Sequence, residues 1–368
     1  MRLSTIARLS ALACGIGVAI PAAGQNAGVQ LEAAPEYLRP DPFGGIVAPD
    51  RTSGAGFVRA LSLEGARGGY VSFHLAVKRN TPGVYTLTLQ FKGDAGKLKM
   101  DLFREWFHFT DSDKQYYPDA LIPVEQPYRS RLPEPDNRVP RQTAQAFWVD
   151  LWIPADAVPA TYHARAVVEA DGTTSALPIQ LKVLPPVIPG EDVMLMDHNS
   201  YGTSWLAEDY PAISGKLGDK FFQSDEFFRL IHAYHRIFYE HRGIFHQLGY
   251  GHAGKVGPEF APVLEGSGRR RHIADWSLYD RHYGPLFDGS AFAGTRRGAH
   301  PIPFVYLPVN PEWPASFVNW GEPGYEAEFV NVVSEMERHF REKGWTSTHF
   351  ELFFNHKKRY MGFSWDGD

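Results

Sequence analysis

Two periods divide this chain. In its first half apolar residues alternate: Val71, Phe73, Leu75 and Val77 share one parity, and so do Tyr85, Leu87, Leu89 and Phe91. Phe147, Val149, Leu151 and Ile153 repeat the pattern, and Ile179, Leu181 and Val183 close it. A period of two puts every second side chain on one face, so each run predicts a half-buried strand. Asn80-Thr81-Pro82-Gly83 and Asp171-Gly172 supply turns between them. Trp148 and Trp152 stand on the opposite parity from Phe147, so both faces of that strand are expected to be covered. Short strands packed inner face to inner face make a β-sandwich. The Pro- and Arg-rich stretch from Pro123 to Arg141 reads as a long surface loop.

The period lengthens beyond Leu184-Pro185-Pro186-Val187-Ile188-Pro189-Gly190. Prolines remove ladder donors and hold the backbone extended, which predicts a short stiff linker over residues 187–190. Phe227, Leu230, Ile231, Tyr234 and Phe238 then recur at three- and four-residue intervals, a helix that Ser224 can cap and Gly243 can stop. Phe329, Val332, Val333, Met336 and Phe340 form a second stripe between Glu326 and Lys343, ended by Gly344. Extended apolar runs at 193–197, 244–248, 302–309 and 349–354 stand around these helices. Strand, helix, strand, loop, strand, helix, strand is the rhythm of a β/α domain.

The expected fold class is therefore multidomain, β plus α/β. A β-sandwich over residues 25–186 precedes a (β/α) barrel of the TIM kind over residues 191–368. A closed eight-stranded barrel takes about 250 residues. Only 178 follow Gly190, so the barrel is expected to be incomplete and the chain to be a fragment.

Arg2 and Arg8, the apolar run over 9–20 and the small residues Ala22-Ala23-Gly24 read as a secretory signal peptide over residues 1–24. The rival, a lipoprotein signal using Cys14, has Leu12 one position off the usual register. Cleavage before Gln25 removes the chain's one cysteine, which excludes disulfides, thiolate metal sites and a cysteine nucleophile from the mature protein. Secretion without disulfides fits a bacterial periplasm or exterior. Setting Arg2 and Arg8 aside leaves 35 of the 37 basic residues against 42 acidic ones. That balance disfavours non-specific nucleic-acid or anionic-membrane binding, and no membrane insertion is expected after cleavage. The one basic cluster, Arg269-Arg270-Arg271-His272, reads as a solvated loop. Nothing in the pattern selects an oligomeric state.

Polar and aromatic residues stand where the predicted strands of the second half end, the position at which barrels and open parallel sheets place their chemistry. Asp197, His198 and Asn199 could position the hydroxyls of a sugar ring, or form a capped turn; Tyr201 and Trp205 could stack on a sugar face, or pack. Asn310, Glu312 and Trp313 follow the third strand, with Glu312 and Trp313 between Pro311 and Pro314, either as a substrate wall or as a loop anchor. Asn355 and His356 follow the fourth strand as hydrogen-bonding groups. His246 and His252 make no compact ligand motif, so no metal is expected, and no cofactor motif is present. Trp365-Asp366-Gly367-Asp368 puts two carboxylates beside an indole, though Asp-Gly is also an ordinary turn.

The stretches Asp197-His198-Asn199-Ser200-Tyr201-Gly202, Pro303 to Pro314 and Phe353 to Tyr360 resemble the catalytic domain of family 123 glycoside hydrolases and its relatives of unknown function. Phe147 to Tyr162 resembles the sandwich that precedes the barrel there. The resemblance implies hydrolysis of β-linked N-acetylhexosaminides, with a glycan or glycoconjugate as partner. In that family an adjacent Asp-Glu pair works with the substrate's acetamido oxygen as nucleophile. Asp368 would be the orienting Asp, with its Glu partner the residue that would come next, and Asp366 is the fallback. The alternative is a non-catalytic carbohydrate-binding or cell-surface glycan-interaction protein.

Overall fold

The computed structural model describes residues 28–201, 203–248, 259–308, 313 and 323–351; of residues 53, 199–201 and 246–248 it describes the backbone alone. Among the described residues the protein is mostly β-sheet with few helices. Its first half is a sandwich of two five-stranded sheets. One sheet runs β1 (Val29–Pro35), β3 (Gly69–Arg79), β8 (Ala144–Ile153), β5 (Lys99–Thr110) and β6 (Gln115–Val124), antiparallel throughout. The other runs β2 (Leu61–Arg67), β10 (Thr173–Val187), β9 (Thr161–Ala170), β4 (Gly83–Phe91) and β7 (Tyr128–Leu132), with β2 parallel to β10.

The alternating positions make the space between the sheets. Phe73, Leu75, Val77, Phe147, Val149 and Leu151 from the first sheet are all 0% exposed. All but Leu151 meet Tyr85, Leu87, Val168 and Ile179 from the second, and Leu151 packs with Leu181 and Val183. Burying each such side chain is worth about 2 kcal/mol. Trp152, of opposite parity, is also buried, and its ring lies 4.8 Å from that of Tyr70.

Two expectations are corrected here. The stretch from Pro123 to Arg141 is not all loop: β7 lies within it and pairs with β4, its alternation hidden by outward arginines at 129 and 131. Glu134, just beyond, is buried against Arg104 at 2.7 Å, which ties the remaining loop down. The linker expected at 187–190 begins inside a strand. β10 continues through Pro185 and Pro186 to Val187, and its register against β2 shifts between Leu184 and Val187. That irregularity lets two residues without N–H groups pass beside the ladder. Arg67 Nη2 donates to the Pro185 carbonyl at 2.7 Å, and Ile188 N donates to the Arg67 carbonyl at 2.8 Å.

The second half contains two parallel strand pairs, β11 (Asp197–Tyr201) with β12 (Ile244–Leu248) and β15 (Phe304–Tyr306) with β16 (His349–Glu351). An antiparallel pair, β13 (Val263–Glu265) and β14 (His272–Asp275), lies between them in sequence. No closed barrel forms among the described residues, because each of these short strands is hydrogen-bonded to one neighbour alone.

The helices are α1 (Ser204–Asp209), α2 (Pro211–Leu217), α3 (Asp225–Glu240), α4 (Ser277–Phe287) and α5 (Tyr325–Glu342). α3 starts as expected: Ser224 Oγ accepts from Phe227 N at 3.2 Å, with Asp225 and Glu226 favourably placed in the first turn. Gly243 N closes its end on the Phe238 carbonyl at 2.8 Å. α4 falls where only a loop was expected. Its buried face is Tyr279, His282, Tyr283, Leu286 and Phe287, aromatic and histidine in place of aliphatic, and Gly284-Pro285 interrupts the pattern. The basic cluster is only partly solvated: Arg269 and Arg270 are exposed, whereas Arg271 lies 3.9 Å from the buried Glu328.

Candidate functional site

The strand that carries Asp197 sits later in the sequence than its apolar run suggests. Val193, Met194, Leu195 and Met196 are 74, 66, 50 and 47% exposed and lie outside β11. The parallel ladder begins where Ile244 N donates to the Met196 carbonyl at 2.8 Å. Asp197 therefore opens β11, opposite Ile244, instead of following it. The reason is that pairing with β12, and not the hydrophobicity of residues 193–196, sets where this strand starts.

The charge of Asp197 nonetheless reaches the second parallel pair. Tyr306 closes β15 and Glu351 closes β16 opposite it. Burial raises the Tyr306 hydroxyl above its ordinary pKa, and the negative charges of Asp197 and Glu351 raise it further. A neutral phenol with two exposed carboxylates in its field offers one donor and several acceptors. Phe304 shares the face, its ring 5.5 Å from that of Tyr306. This set can hold hydroxyl groups against an aromatic edge. Tyr306 and Glu351 both lie in the apolar runs that predict these strands, and no motif marks either. The signal available was parity, since Phe304 and Tyr306 fall on one side of β15.

A buried polar knot that no sequence motif announces joins Thr203 and Glu259 to α4 and α3. Thr203, the residue before α1, donates through Oγ1 to Glu259 Oε1 at 2.5 Å. Glu259 is 5% exposed, and burial raises its pKa against the lowering effect of the Thr203 bond. The Glu259 carbonyl accepts from His282 Nδ1 at 2.6 Å, so the neutral ring carries its proton there. Burial pushes His282 down to about 3. The His282 carbonyl in turn accepts from His232 Nε2 at 2.7 Å. The knot holds the segment after residue 258 against α3 and α4.

Trp313 is 8% exposed and packs in the core with Val332, Met336 and Phe340. Its carbonyl accepts from the Tyr325 hydroxyl at 2.7 Å. That burial favours the loop-anchor reading over a sugar platform. Trp205 likewise packs edge-on against Tyr234 at 4.9 Å. Asn199 and Tyr201 lie on β11, opposite His246 and Leu248. Asn310, Glu312, Asn355, His356, Asp366 and Asp368 lie outside the described residues. No cluster of three His, Cys, Asp or Glu that could hold a metal occurs among the described residues.

No protein-family profile and no curated protein matches the chain. Among solved structures, a family 123 glycoside hydrolase from Clostridium perfringens, studied for its hydrolysis of glycolipid glycans, shares the fold. It has a TM-score of 0.57 at 12% identity, over 91% of this chain and 60% of that one. The chain thus spans about three fifths of that enzyme's length. The titin M3 domain matches at a TM-score of 0.17 and 14% identity, over 34% of this chain and 91% of that one. At 12% identity the likeness to the hydrolase is one of fold.

Proposed function

We propose that this chain belongs to a glycoside hydrolase acting on β-linked N-acetylhexosaminides, with residues 25–186 as an accessory sandwich and residues 191–368 as a (β/α) catalytic domain. The observation that carries the reading is a fold shared with a glycoside hydrolase over 91% of the chain. Tyr306 opposite Glu351, within the field of Asp197, supports it, because a phenol beside carboxylates suits a polyhydroxylated ring.

In this reading the acetamido carbonyl oxygen of the substrate attacks the anomeric carbon. The bond to the leaving oxygen breaks, and that oxygen keeps the electron pair and takes a proton from an acid. Water then opens the oxazolinium. An attached nucleophile avoids bringing in a second reactant, an advantage of about 7–11 kcal/mol in well-aligned systems. Asp368, with Asp366 as fallback, would hold the acetamide in line. Asp197, Tyr306 and Glu351 would hold ring hydroxyls. The chemistry asks for no metal or cofactor.

Export to a bacterial periplasm or medium by way of residues 1–24 belongs to the same reading. No helix among the described residues is long and apolar enough to cross a membrane.

The test uses the polypeptide encoded by the whole open reading frame, assayed on an aryl β-N-acetylgalactosaminide and on the matching β-galactoside. Turnover confined to the first supports the proposal. Equal turnover of both rejects the mechanism, and glycan binding without turnover of either moves the reading to a binding protein.

A further inference from the structure

The geometry points to a second carbohydrate-binding site, a single-sugar cleft on the sandwich walled by Phe43. It lies between the loop 40–45 and the edge of the first sheet, with a volume of about 120 Å³, and Gln30, Lys78, Asn80 and Thr143 line it with Phe43. Lys78 and Tyr70 are separated by eight residues of β3, roughly 27 Å of strand. Tyr70 is the end that stacks on His241 of the second half, at 4.8 Å. The cleft therefore occupies the opposite end of the sheet, apart from the strands that carry Asp197 and Tyr306.

An isolated exposed phenylalanine calls for no explanation. Phe43 is different because it is 50% exposed on a loop fixed from every side. Phe43 N and Gly45 N each donate to Asp41 Oδ1 at 2.8 Å. The Pro42 carbonyl accepts from Thr143 N and Ala144 N at 3.1 and 3.0 Å. The Phe43 carbonyl accepts from Thr143 Oγ1 at 3.2 Å. Gly44 takes a φ of 87°, which favours glycine, and its carbonyl accepts from Lys78 Nζ at 2.7 Å. The ring is buttressed edge-on by Tyr116 at 5.9 Å. A half-exposed apolar ring thus stands on a rigid support, which lowers the entropic cost of binding.

The chemistry of the other walls selects the ligand. Lys78 sits directly across from Gln30 in the ladder, and its charge is already matched by Glu32 Oε2 at 2.5 Å. Its ammonium also lies 3.8 Å from the Phe57 ring centre. An anion would find no uncommitted cation in this lining. What remains is the Phe43 ring and the amides of Gln30 and Asn80, with the Thr143 hydroxyl, already donating to the Phe43 carbonyl, free only to accept; these are groups that recognise a neutral pyranose by its C–H face and its hydroxyls. The small volume limits the site to one residue of a glycan. Such a site would hold the protein near a glycan-bearing surface and raise the local concentration of further sugar.

Saturation-transfer NMR on the 368-residue chain tests this with the methyl β-glycosides of galactose, glucose, N-acetylgalactosamine and N-acetylglucosamine. Measurements start from a D197A/Y306F background, so that binding at the second half is reduced. At least one sugar is expected to bind there, and adding F43A should weaken it about tenfold, the scale of losing an aromatic face. N80A should weaken it less, and unchanged circular dichroism would show that both variants fold. No binding by any of the four sugars, or binding indifferent to F43A, overturns the site. Turnover of a soluble aryl glycoside by the whole open reading frame should not respond to F43A, so failure of this site and failure of the hydrolase reading are separate results.

Discussion

Arg296 of the second half and Asp101 of the sandwich form a two-bonded ion pair, Nη2 to Oδ1 at 3.0 Å and Nη1 to Oδ2. The same guanidinium lies 5.8 Å from the Tyr70 ring centre, beside the stacked His241. Arg242 adds a bond from Nη2 to the Gly68 carbonyl at 2.8 Å. A double-mutant cycle of R296A and D101A should return a coupling of about 1 kcal/mol, the upper end for a partly exposed pair. Additive single effects in urea unfolding would show that the pair contributes nothing to joining the two halves.

Trp313 should behave as a core residue. W313A is expected to destabilise the second half by about 3–5 kcal/mol, through lost burial and the cavity left among Val332, Met336 and Phe340. A loss confined to sugar affinity, with the thermal midpoint unchanged, would restore the platform reading.

Glu259 and His282 give opposite pH dependences. Burial raises Glu259 in the fold, so the stability tied to its proton is present below the unfolded carboxylate range and is lost as pH rises through the raised value. E259Q should keep an acceptor for Thr203 and remove this loss. The thermal midpoint of the variant should fall less than that of the parent between pH 5 and 8, the full slope of one proton being about 1.4 kcal/mol per pH unit. A steeper fall in the variant contradicts the assignment.

His282 is the reverse case. Its value of about 3 lies below the unfolded 6.5, so its stability is present above pH 6.5 and is lost as pH falls towards 3. H282N can still donate to the Glu259 carbonyl and does not titrate in this range. Acid unfolding should therefore move to lower pH in H282N relative to its own stability at pH 7. An unchanged acid limb would show that the ring is not the group responsible.

Tyr306 should act as a neutral hydrogen-bonding group at every working pH, since burial and two carboxylates hold its proton. On the proposed substrate Y306F should lower kcat/KM about tenfold, the loss of one hydrogen bond at a polar site. The pH profile should keep its shape. A new or shifted limb in the profile would instead make the phenol a proton-transfer group.

The parities of Phe73, Leu75 and Val77 and of Phe147, Val149 and Leu151 made the sandwich core legible, because inner faces repeat every second residue. Partners were not legible: nothing in Leu61 to Arg67 says that it runs parallel to a strand more than 110 positions later. α3 and α5 announced themselves by aliphatic and aromatic stripes with a capping serine or a terminal glycine. α4 did not, because histidine and tyrosine replace aliphatic residues on its buried side. At the site, Asp197 was readable as a candidate, but its charge acting on Tyr306 opposite Glu351 involves three distant segments. Glu259 had no local pattern at all; burial and Thr203 give it its character.

The passage of β10 through Pro185 and Pro186 has a mechanical meaning. β10 lies between β2 and β9, and its last residues lead directly into the second half. Tension applied to that half is therefore delivered along the axis of an interior strand, whose bonds to β2 and, further in, to β9 are loaded in shear instead of being peeled one at a time. A protein holding a tethered glycan under flow would resist extraction at this junction more than a flexible hinge would.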